Sequence, residues 1–306
     1  MNIDYFSKVR ILDGGMGQTL LEKGLKAKGS LWSASALIDE KYHQLVIDAH
    51  LDFIKSGADV IVTNNFSARR SRTTQNNVDE HFSYANKKAG ELALKAKQIS
   101  KKNVLIAGSL PAQNDTYIPD ERDKNLIKKN FFDQANLLKP FVDFFYLDVL
   151  SSIREVEIAL NAIERMNLPV LVGLHIRKNG KLSSGETITN VFEKCKNKNV
   201  LGLITACTSP EITENVIDEV KELKIPFGFK ANLWKKQPLP VGEIVTFDKN
   251  GFGENPVNIL GTRDDITAEK FYDFSKKMID KGATILGGCC ETKPAHINAI
   301  SKLKQI

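Results

Sequence analysis

Eight short apolar runs, separated by segments with helical periodicity, constrain the fold more than any other feature of the sequence. The runs are rich in β-branched residues and cover residues 10–12, 59–63, 104–107, 144–147, 170–174, 200–204, 226–229 and 283–286. Continuous apolar strands that alternate with amphipathic helices are typical of a parallel sheet covered by helices. Eight such units in 306 residues predict an α/β fold, a single (β/α)8 barrel in which one domain spans residues 1–306.

An open, doubly wound sheet is the alternative reading of the same alternation. That fold would place a Gly-rich dinucleotide-binding turn after an early strand. The glycines within residues 13–17 have a different spacing from that fingerprint, so the barrel is favoured. Within the barrel we expect helices over 42–54 and 153–166 and a further helix opened by Ser209 and Pro210. We also expect a long loop within 228–264, on the functional face.

Charge and cysteine content argue against several classes of protein. The formal net charge is +6, but the lysines are spread along the chain, which disfavours nucleic-acid binding. No apolar run approaches the roughly 20 residues of a membrane-spanning helix, and the first residues lack the pattern of a signal peptide. Four cysteines in such a chain favour a reducing compartment, so we expect a cytoplasmic protein whose cysteines bind metal or react.

Three of the four cysteines fall where strands of the barrel end. Cys207 follows the sixth apolar run, and the adjacent Cys289 and Cys290 follow the eighth, after two glycines. The C-terminal ends of barrel strands meet on one active face, so the three thiols are expected to converge. Adjacent cysteines bridge each other only with strain, whereas a sharp bend permitted by Gly287-Gly288 lets both face one metal ion. Other polar residues predicted at strand ends are Asp13, Asn64, Asn65, Asp148, His175 and Asn232.

The grouping of thiols, rather than any single cysteine, points to chemistry. A lone cysteine is more often a small core residue, and Cys195, in a helical stretch, is interpreted in this way. Three thiolates on a tetrahedral zinc leave the fourth position open for catalysis. A thiol bound to such a zinc becomes a thiolate, so alkyl transfer to that thiol is the favoured reaction. Two other hypotheses stay open: a zinc hydrolase helped by His175, and a redox sensor built on Cys289–Cys290.

The sequence resembles the homocysteine S-methyltransferase family over nearly the whole chain. This family includes S-methylmethionine-type enzymes, betaine–homocysteine methyltransferase and the homocysteine module of cobalamin-dependent methionine synthase. The segments that carry the resemblance are Leu12-Asp-Gly-Gly-Met-Gly-Gln-Thr-Leu20, Gly57-Ala-Asp-Val-Ile-Val-Thr-Asn64, Ala107-Gly-Ser-Leu110, Ala206-Cys-Thr-Ser-Pro-Glu211 and Gly287-Gly-Cys-Cys290. The resemblance implies a homocysteine-binding barrel that uses Zn2+ to methylate homocysteine to methionine.

Carried over residue by residue, the resemblance implies roles for five polar residues. The zinc ligands fall on Cys207, Cys289 and Cys290. The two acids that hold the amino group of homocysteine fall on Asp13 and Asp148. Asp13 precedes two glycines, so an ordinary turn-forming role is the alternative for this residue.

Aromatic residues on the loops of the active face are candidates for contact with a cationic methyl donor. The pocket tryptophan of the betaine enzyme falls on Trp32, and Phe66, Tyr117 and Trp234 are predicted on the same face. Ordinary packing is the alternative for each of the four. Among them, we expect Trp32 and Phe66 to bind substrate.

The chain departs from the family pattern at three places. The asparagine before the first zinc cysteine is Ala206, the Glu-Thr pair after the fourth strand is Asp148-Val149, and the aromatic–Gln pair after the second strand is Phe66-Ser67. These departures concern the acceptor and donor rather than the zinc. A small sulfonium donor, S-methylmethionine or dimethylsulfoniopropionate, is favoured because it leaves as a neutral thioether. Glycine betaine is the alternative donor, and the oligomeric state stays open.

Overall fold

A computed structural model of the chain describes residues 2–196, 198–236 and 257–305. The described residues form one sheet of eight parallel strands, labelled β1 to β8 in chain order. They are β1 (Arg10–Ile11), β2 (Val60–Val62), β3 (Leu105–Pro111), β4 (Phe144–Leu150), β5 (Val170–Leu174), β6 (Val200–Thr208), β7 (Phe227–Ala231) and β8 (Ile285–Gly288). Each apolar run of the sequence contributes one strand, as predicted.

The sheet closes because β1 has a neighbour on each side. Its two residues pair in parallel with β8, and the sheet continues in the order β8-β7-β6-β5-β4-β3-β2. On the other side, Leu12 forms a parallel bridge with Val60, and the backbone N–H of Asp13 donates to the Val60 carbonyl at 3.0 Å. The (β/α)8 barrel is therefore confirmed, and the open doubly wound sheet is wrong.

Helices follow the strands and cover the outside of the barrel. The longer α-helices are His43–Lys55, Phe82–Ser100, Lys124–Leu138, Ile153–Ile163, Ile188–Cys195, Pro210–Val220, Ala268–Asp280 and Pro294–Ser301. The shorter ones are Met16–Glu22, Ser35–Ile38, Arg70–Gln75 and Val257–Leu260. No helix within the described ranges is long and apolar enough to cross a membrane.

The three helices predicted from the sequence are present with slightly different ends. The first runs over His43–Lys55, and the second runs over Ile153–Ile163 before a short 3-10 turn. The third begins at Pro210, and the side chain of Ser209 caps it by accepting a backbone hydrogen bond. The long loop predicted within 228–264 falls mostly on residues 237–256, which lie outside the described residues.

A single turn near the N-terminus fills one end of the barrel. Phe6, in the 3-10 turn Ile3–Ser7, is fully buried and packs edge-to-face on Phe144 with 6.0 Å between ring centroids. Phe144 is the first residue of β4, so this end carries the N-terminal ends of the strands. The opposite end, where the strands finish, is left to form a pocket.

Two strands carry a bulge at the pocket end. The pairing of β4 with β5 shifts register before Leu150, and that of β6 with β7 shifts before Thr208. Within these bulges Val149 has φ 63° and Cys207 has φ 50°, a left-handed conformation that is unfavourable for residues other than glycine. Because an extra residue in a strand re-aims its neighbours, the bulge in β6 places the Cys207 side chain at the pocket.

Candidate active site

Cys207, Cys289 and Cys290 come together at the C-terminal end of the barrel, as the sequence predicts. The Sγ atom of Cys207 lies 3.8 Å from that of Cys290, which lies 3.9 Å from that of Cys289. All three sulfur atoms lie within 4.8 Å of one another. None of these cysteines forms a disulfide, and the remaining one, Cys195, is buried at the end of a helix.

Gly287 and Gly288 place the cysteine pair through their small size rather than through a left-handed bend. Both lie in β8, and neither has a positive φ. A Cβ atom at Gly288 would lie 2.0 Å from Thr292 Oγ1, so there is no room for a side chain. The left-handed residue is Glu291, with φ 63°. The expectation of a bend at the two glycines is therefore wrong, because the chain turns after the cysteines.

The end of β7 holds the cysteines of its two neighbouring strands in place. The backbone N–H of Cys289 donates to the carbonyl of Ala231 at 2.8 Å. Asn232 Nδ2 donates to the carbonyl oxygen of Cys207 at 2.5 Å. Since β7 lies between β6 and β8, these bonds fix the position of Cys207 relative to the pair.

The three thiols differ in acidity. Burial raises the pKa of Cys207, but hydrogen bonds from Cys289, Cys290 and Tyr117 outweigh burial and lower this pKa well below 9.0. The Tyr117 hydroxyl lies 3.4 Å from the Cys207 sulfur. The pKa values of Cys289 and Cys290 are raised well above 9.0, first because of their hydrogen bonds to Cys207. Three thiolates so close together require a cation.

The spacing of the sulfur atoms fits a soft metal ion. Zinc–sulfur bonds of about 2.3 Å in tetrahedral geometry would set ligand sulfurs about 3.8 Å apart. The observed separations of 3.8 Å and 3.9 Å agree with that spacing. Within the described residues, no His, Asp or Glu joins the three cysteines in a ligand cluster. Three protein ligands leave one position of a tetrahedral ion available to a substrate.

Asp13, predicted to hold a substrate amino group, already holds an ammonium group of the protein. Its Oδ1 accepts from Lys230 Nζ at 2.5 Å, and its Oδ2 accepts from the backbone N–H of Val62 at 2.7 Å. Asp13 is 1% exposed and Lys230 is 6% exposed. Burial raises the pKa of Asp13 above 3.8, against the attraction of Lys230. Sequence analysis did not predict Lys230, although a lysine within an otherwise apolar strand was a visible signal.

Asp148 lies in the same pocket and has a weaker set of partners. Its Oδ2 accepts from Ser109 Oγ at 2.8 Å. Burial raises the pKa of Asp148 to about 6, and the charge of Lys230 opposes that rise. Asp13, Asp148 and Lys230 all line the pocket beside the cysteines, so the structure brings together the two predicted acids.

The four aromatic residues predicted on the active face all line this pocket, namely Trp32, Phe66, Tyr117 and Trp234. The Trp32 ring packs on Gly17, where a Cβ atom would lie 2.7 Å from the ring. His175 instead lines an adjoining pocket, and its ring packs on that of Tyr117 at a tilt of 58°, with 4.7 Å between ring centroids.

The two asparagines predicted at the end of β2 differ in role. Asn64 lines the pocket, and its Nδ2 donates to the Ser33 carbonyl at 3.1 Å. Asn65 is fully buried, and its Nδ2 donates to Asn86 Oδ1 and to the Ser109 carbonyl, each at 3.0 Å. Asn65 therefore joins the end of β2 to β3 and to a helix, which is a structural role.

Two buried arginines of the pocket were also missed by sequence analysis. Arg69 is 1% exposed and Arg72 is 4% exposed, and both line the pocket. Their only sequence signal is the basic stretch 69–72 that follows Phe66, shortly after the second strand. Its described lining thus includes the cationic side chains Arg69, Arg72 and Lys230 in addition to the two acids.

Fold and pocket together define a barrel enzyme with a cluster of thiols on its active face. The sequence model of the family described as homocysteine S-methyltransferase matches residues 10–303, and the chain belongs to this family. It is therefore a methyltransferase of the homocysteine S-methyltransferase type.

Individual relatives agree with this assignment. The chain is 26% identical over 300 residues to S-methylmethionine–homocysteine S-methyltransferase BHMT2 of Pongo abelii, covering 96% of this chain and 78% of the relative. It is 24% identical over 329 residues to homocysteine S-methyltransferase 1 of Arabidopsis thaliana, covering 95% and 92%. The metallated form of the homocysteine methyltransferase MmuM from Escherichia coli has a TM-score of 0.78 at 20% identity, covering 97% and 96% of the two chains. The structural similarity shows a shared barrel fold.

Proposed function

We propose that this chain transfers a methyl group from a small sulfonium donor to homocysteine, forming methionine, and that residues 1–306 act as one domain. The observation that carries the proposal is the cluster of three sulfur atoms, all within 4.8 Å, in the pocket of a chain that belongs to this family. Neither zinc-dependent hydrolysis nor redox sensing is favoured by that membership. The free cysteines support a cytoplasmic setting as part of the proposal.

We assign Cys207, Cys289 and Cys290 as ligands of one Zn2+ ion. When bound, zinc would supply a Lewis acid that keeps the acceptor thiol deprotonated at neutral pH. The protein contributes a ligand spacing that suits the ion and an Asn232 hydrogen bond that holds the Cys207 backbone. Tyr117 adds a hydroxyl beside the Cys207 sulfur, which offsets part of the negative charge of the thiolate.

The acids of the pocket are suited to the amino group of homocysteine. Asp13 and Asp148 carry two negative charges when ionised, and Lys230 carries one positive charge. These three groups together carry a charge of −1, which matches one substrate ammonium group. We therefore propose that Asp148 receives the ammonium directly, while Asp13 acts mainly through the Lys230 that it holds at 2.5 Å.

The aromatic lining suits a cationic donor. Trp32 and Phe66 contribute ring faces to the pocket, and such faces attract a sulfonium or quaternary ammonium group. A sulfonium donor loses its methyl group to the acceptor sulfur and leaves as a neutral thioether. S-methylmethionine, part of the name of the Pongo abelii relative, and dimethylsulfoniopropionate are the donors that we favour.

The donor is tested by assaying methionine formation from homocysteine with three separate donors. We expect turnover with S-methylmethionine or dimethylsulfoniopropionate to exceed that with glycine betaine. Turnover with betaine alone would contradict the sulfonium preference, while leaving methyl transfer to homocysteine intact. Absence of methionine with every donor would overturn the proposed reaction.

The metal site is tested by a matched pair of cysteine substitutions. Cys290→Ala removes one of three ligands, so we expect zinc content and kcat/KM to fall on the order of 100-fold or more, beyond the effect of losing an outer-shell partner. Cys195→Ala, outside the cluster, should keep zinc and activity. Zinc measured by elemental analysis at full occupancy in Cys290→Ala would exclude this residue as a ligand.

A further inference from the structure

Arg69 is a buried cation whose hydrogen-bonding capacity is largely unused. Its side chain is 1% exposed. Nη2 donates to Thr116 Oγ1 at 2.9 Å, but Nε and Nη1 have no partner within the described part of the chain. A guanidinium carries five N–H groups, and leaving buried donors unpaired is costly. These N–H groups call for an acceptor that the described residues do not provide.

Neighbouring carboxylates do not accept hydrogen bonds from the unpaired N–H groups of Arg69. Arg72, three residues further on, bonds Asp115 at 2.9 Å and Gln75 at 2.7 Å, so Asp115 is already engaged. Asp148 acts on Arg69 only through its charge, and its Oδ2 bonds Ser109. Burial lowers the pKa of Arg69 to about 9, which still leaves the group charged at neutral pH.

Arg69 lies close to the aromatic lining of the pocket and to the loop that contacts the thiols. Its guanidinium carbon lies 5.1 Å from the centroid of the Phe66 ring. Its hydrogen-bond partner Thr116 directly precedes Tyr117, whose hydroxyl reaches the Cys207 sulfur at 3.4 Å. Arg69 and the sulfur cluster thus contact neighbouring residues of one loop, and both line the same pocket.

We propose that Arg69 binds the carboxylate of the methyl donor. Both favoured sulfonium donors, and betaine as well, carry a cationic methyl-bearing group and a carboxylate a few bonds away. The donor cation would face the aromatic ring of Phe66, and its carboxylate would take the unpaired N–H groups of Arg69. The acceptor ammonium remains with Asp148. This inference rests on the proposed function, because it presumes a donor that carries a carboxylate.

The experiment compares a donor with an analogue that lacks the carboxylate. Dimethylsulfoniopropionate is paired with dimethylpropylsulfonium, and S-methylmethionine is paired with (3-aminopropyl)dimethylsulfonium. A charge-assisted hydrogen bond predicts that the wild type prefers the carboxylate-bearing donor by about 10–100-fold in kcat/KM and in calorimetric Kd. Arg69→Met should reduce this preference to near unity, and Arg69→Lys should retain part of it, since it keeps the charge.

Arg72→Met is the matched control, because it removes the same group from an arginine that has its own partners. We expect its ratio between donor and analogue to equal that of the wild type. A second arm pairs homocysteine with 3-aminopropanethiol, the acceptor without its carboxylate. Loss of discrimination on this acceptor arm alone in Arg69→Met would overturn the assignment to the donor. An unchanged ratio on both arms would overturn any role of Arg69 in binding a carboxylate.

Calorimetry separates failure of the inference from failure of the proposed function. If the wild type forms no methionine, the proposed reaction fails, whereas donor binding still reports on Arg69. If the wild type is active and Arg69→Met keeps the full preference, only the inference fails.

Discussion

Lys230 and Arg69 are both buried cations of one pocket, and they differ in what surrounds the charge. Lys230 Nζ lies 2.5 Å from a carboxylate oxygen of Asp13 and also donates to the backbone carbonyl of Asp13 at 3.2 Å. Among the described residues, Arg69 has one hydroxyl partner, and its other two nitrogens have none. A paired charge is explained by the folded chain alone, since each partner stabilises the other. An unpaired charge at the same depth is better explained by a ligand, and this difference separates a structural ion pair from a binding group.

The largest effect is expected when the paired cation is removed. Lys230→Met leaves Asp13 buried without its counter-charge, which costs about 3–5 kcal/mol of unfolding free energy. Urea denaturation of the purified variant measures that loss. The double variant Lys230→Met/Asp13→Asn removes both charges and should recover most of it. If Lys230→Met alone loses less than about 1 kcal/mol of unfolding free energy, the Lys230–Asp13 pair behaves like an exposed ion pair.

An intermediate effect is expected from a buried carboxylate outside the pocket. Glu155 is fully buried; its Oε2 accepts from Ser152 Oγ at 2.8 Å, and its Oε1 has no partner within the described residues. Burial raises the pKa of Glu155 from 4.5 to about 7, with Asp120 adding to the rise and Arg154 opposing it. The folded state thus holds this proton more tightly than the unfolded chain does. Unlike Arg69, this group can lose its charge near neutral pH.

The sign of the pH dependence follows from that raised pKa. The contribution of Glu155 to stability is fully present below pH 4.5 and is lost as pH rises to about 7. The loss amounts to at most about 3 kcal/mol. Denaturation midpoints measured across this range should therefore decline more steeply in the wild type than in Glu155→Gln. Parallel pH profiles for the wild type and Glu155→Gln would contradict a raised pKa of Glu155.

The smallest effect is expected for the unpaired cation. Arg69→Met removes unsatisfied buried donors and also a contact with the Phe66 ring, so we expect a net gain of about 1 kcal/mol in unfolding free energy. The substitution should thus stabilise the protein while it weakens donor binding. Urea denaturation without ligand tests the expected gain in stability. A loss of 2 kcal/mol or more, by the same scale of hydrogen-bond energies, would mean that Arg69 serves the fold.

Much of the fold could be predicted because its signals are periodic. The eight apolar runs determine the eight strands, and strand ends in a barrel share one face, which brings Cys207 to Cys289 and Cys290. The roles of these cysteines, of the two acids and of the aromatic residues remain predictions.

Other features of the site depend on geometry that the local sequence does not encode. Lys230 and Arg69 could be read as ordinary charged residues, because only the folded pocket shows that one is paired and the other is not. The bulge at Cys207 depends on the register between β6 and β7, which is set by tertiary packing. Gly288 could be read as a flexible hinge, whereas its position is dictated by contact with Thr292.

The short pairing of β1 with its neighbours β8 and β2 has a consequence for how the pocket forms. Asp13 accepts from the backbone N–H of Gly288 at 3.0 Å and from that of Val62 at 2.7 Å, so it joins the first strand to the last and to the second. Contacts between residues so distant along the chain form late, because the entropy of closing the long loop opposes them. During synthesis, Asp13 emerges long before Cys290. Binding of metal by the three cysteines, as proposed above, would therefore report that the ring of strands is complete.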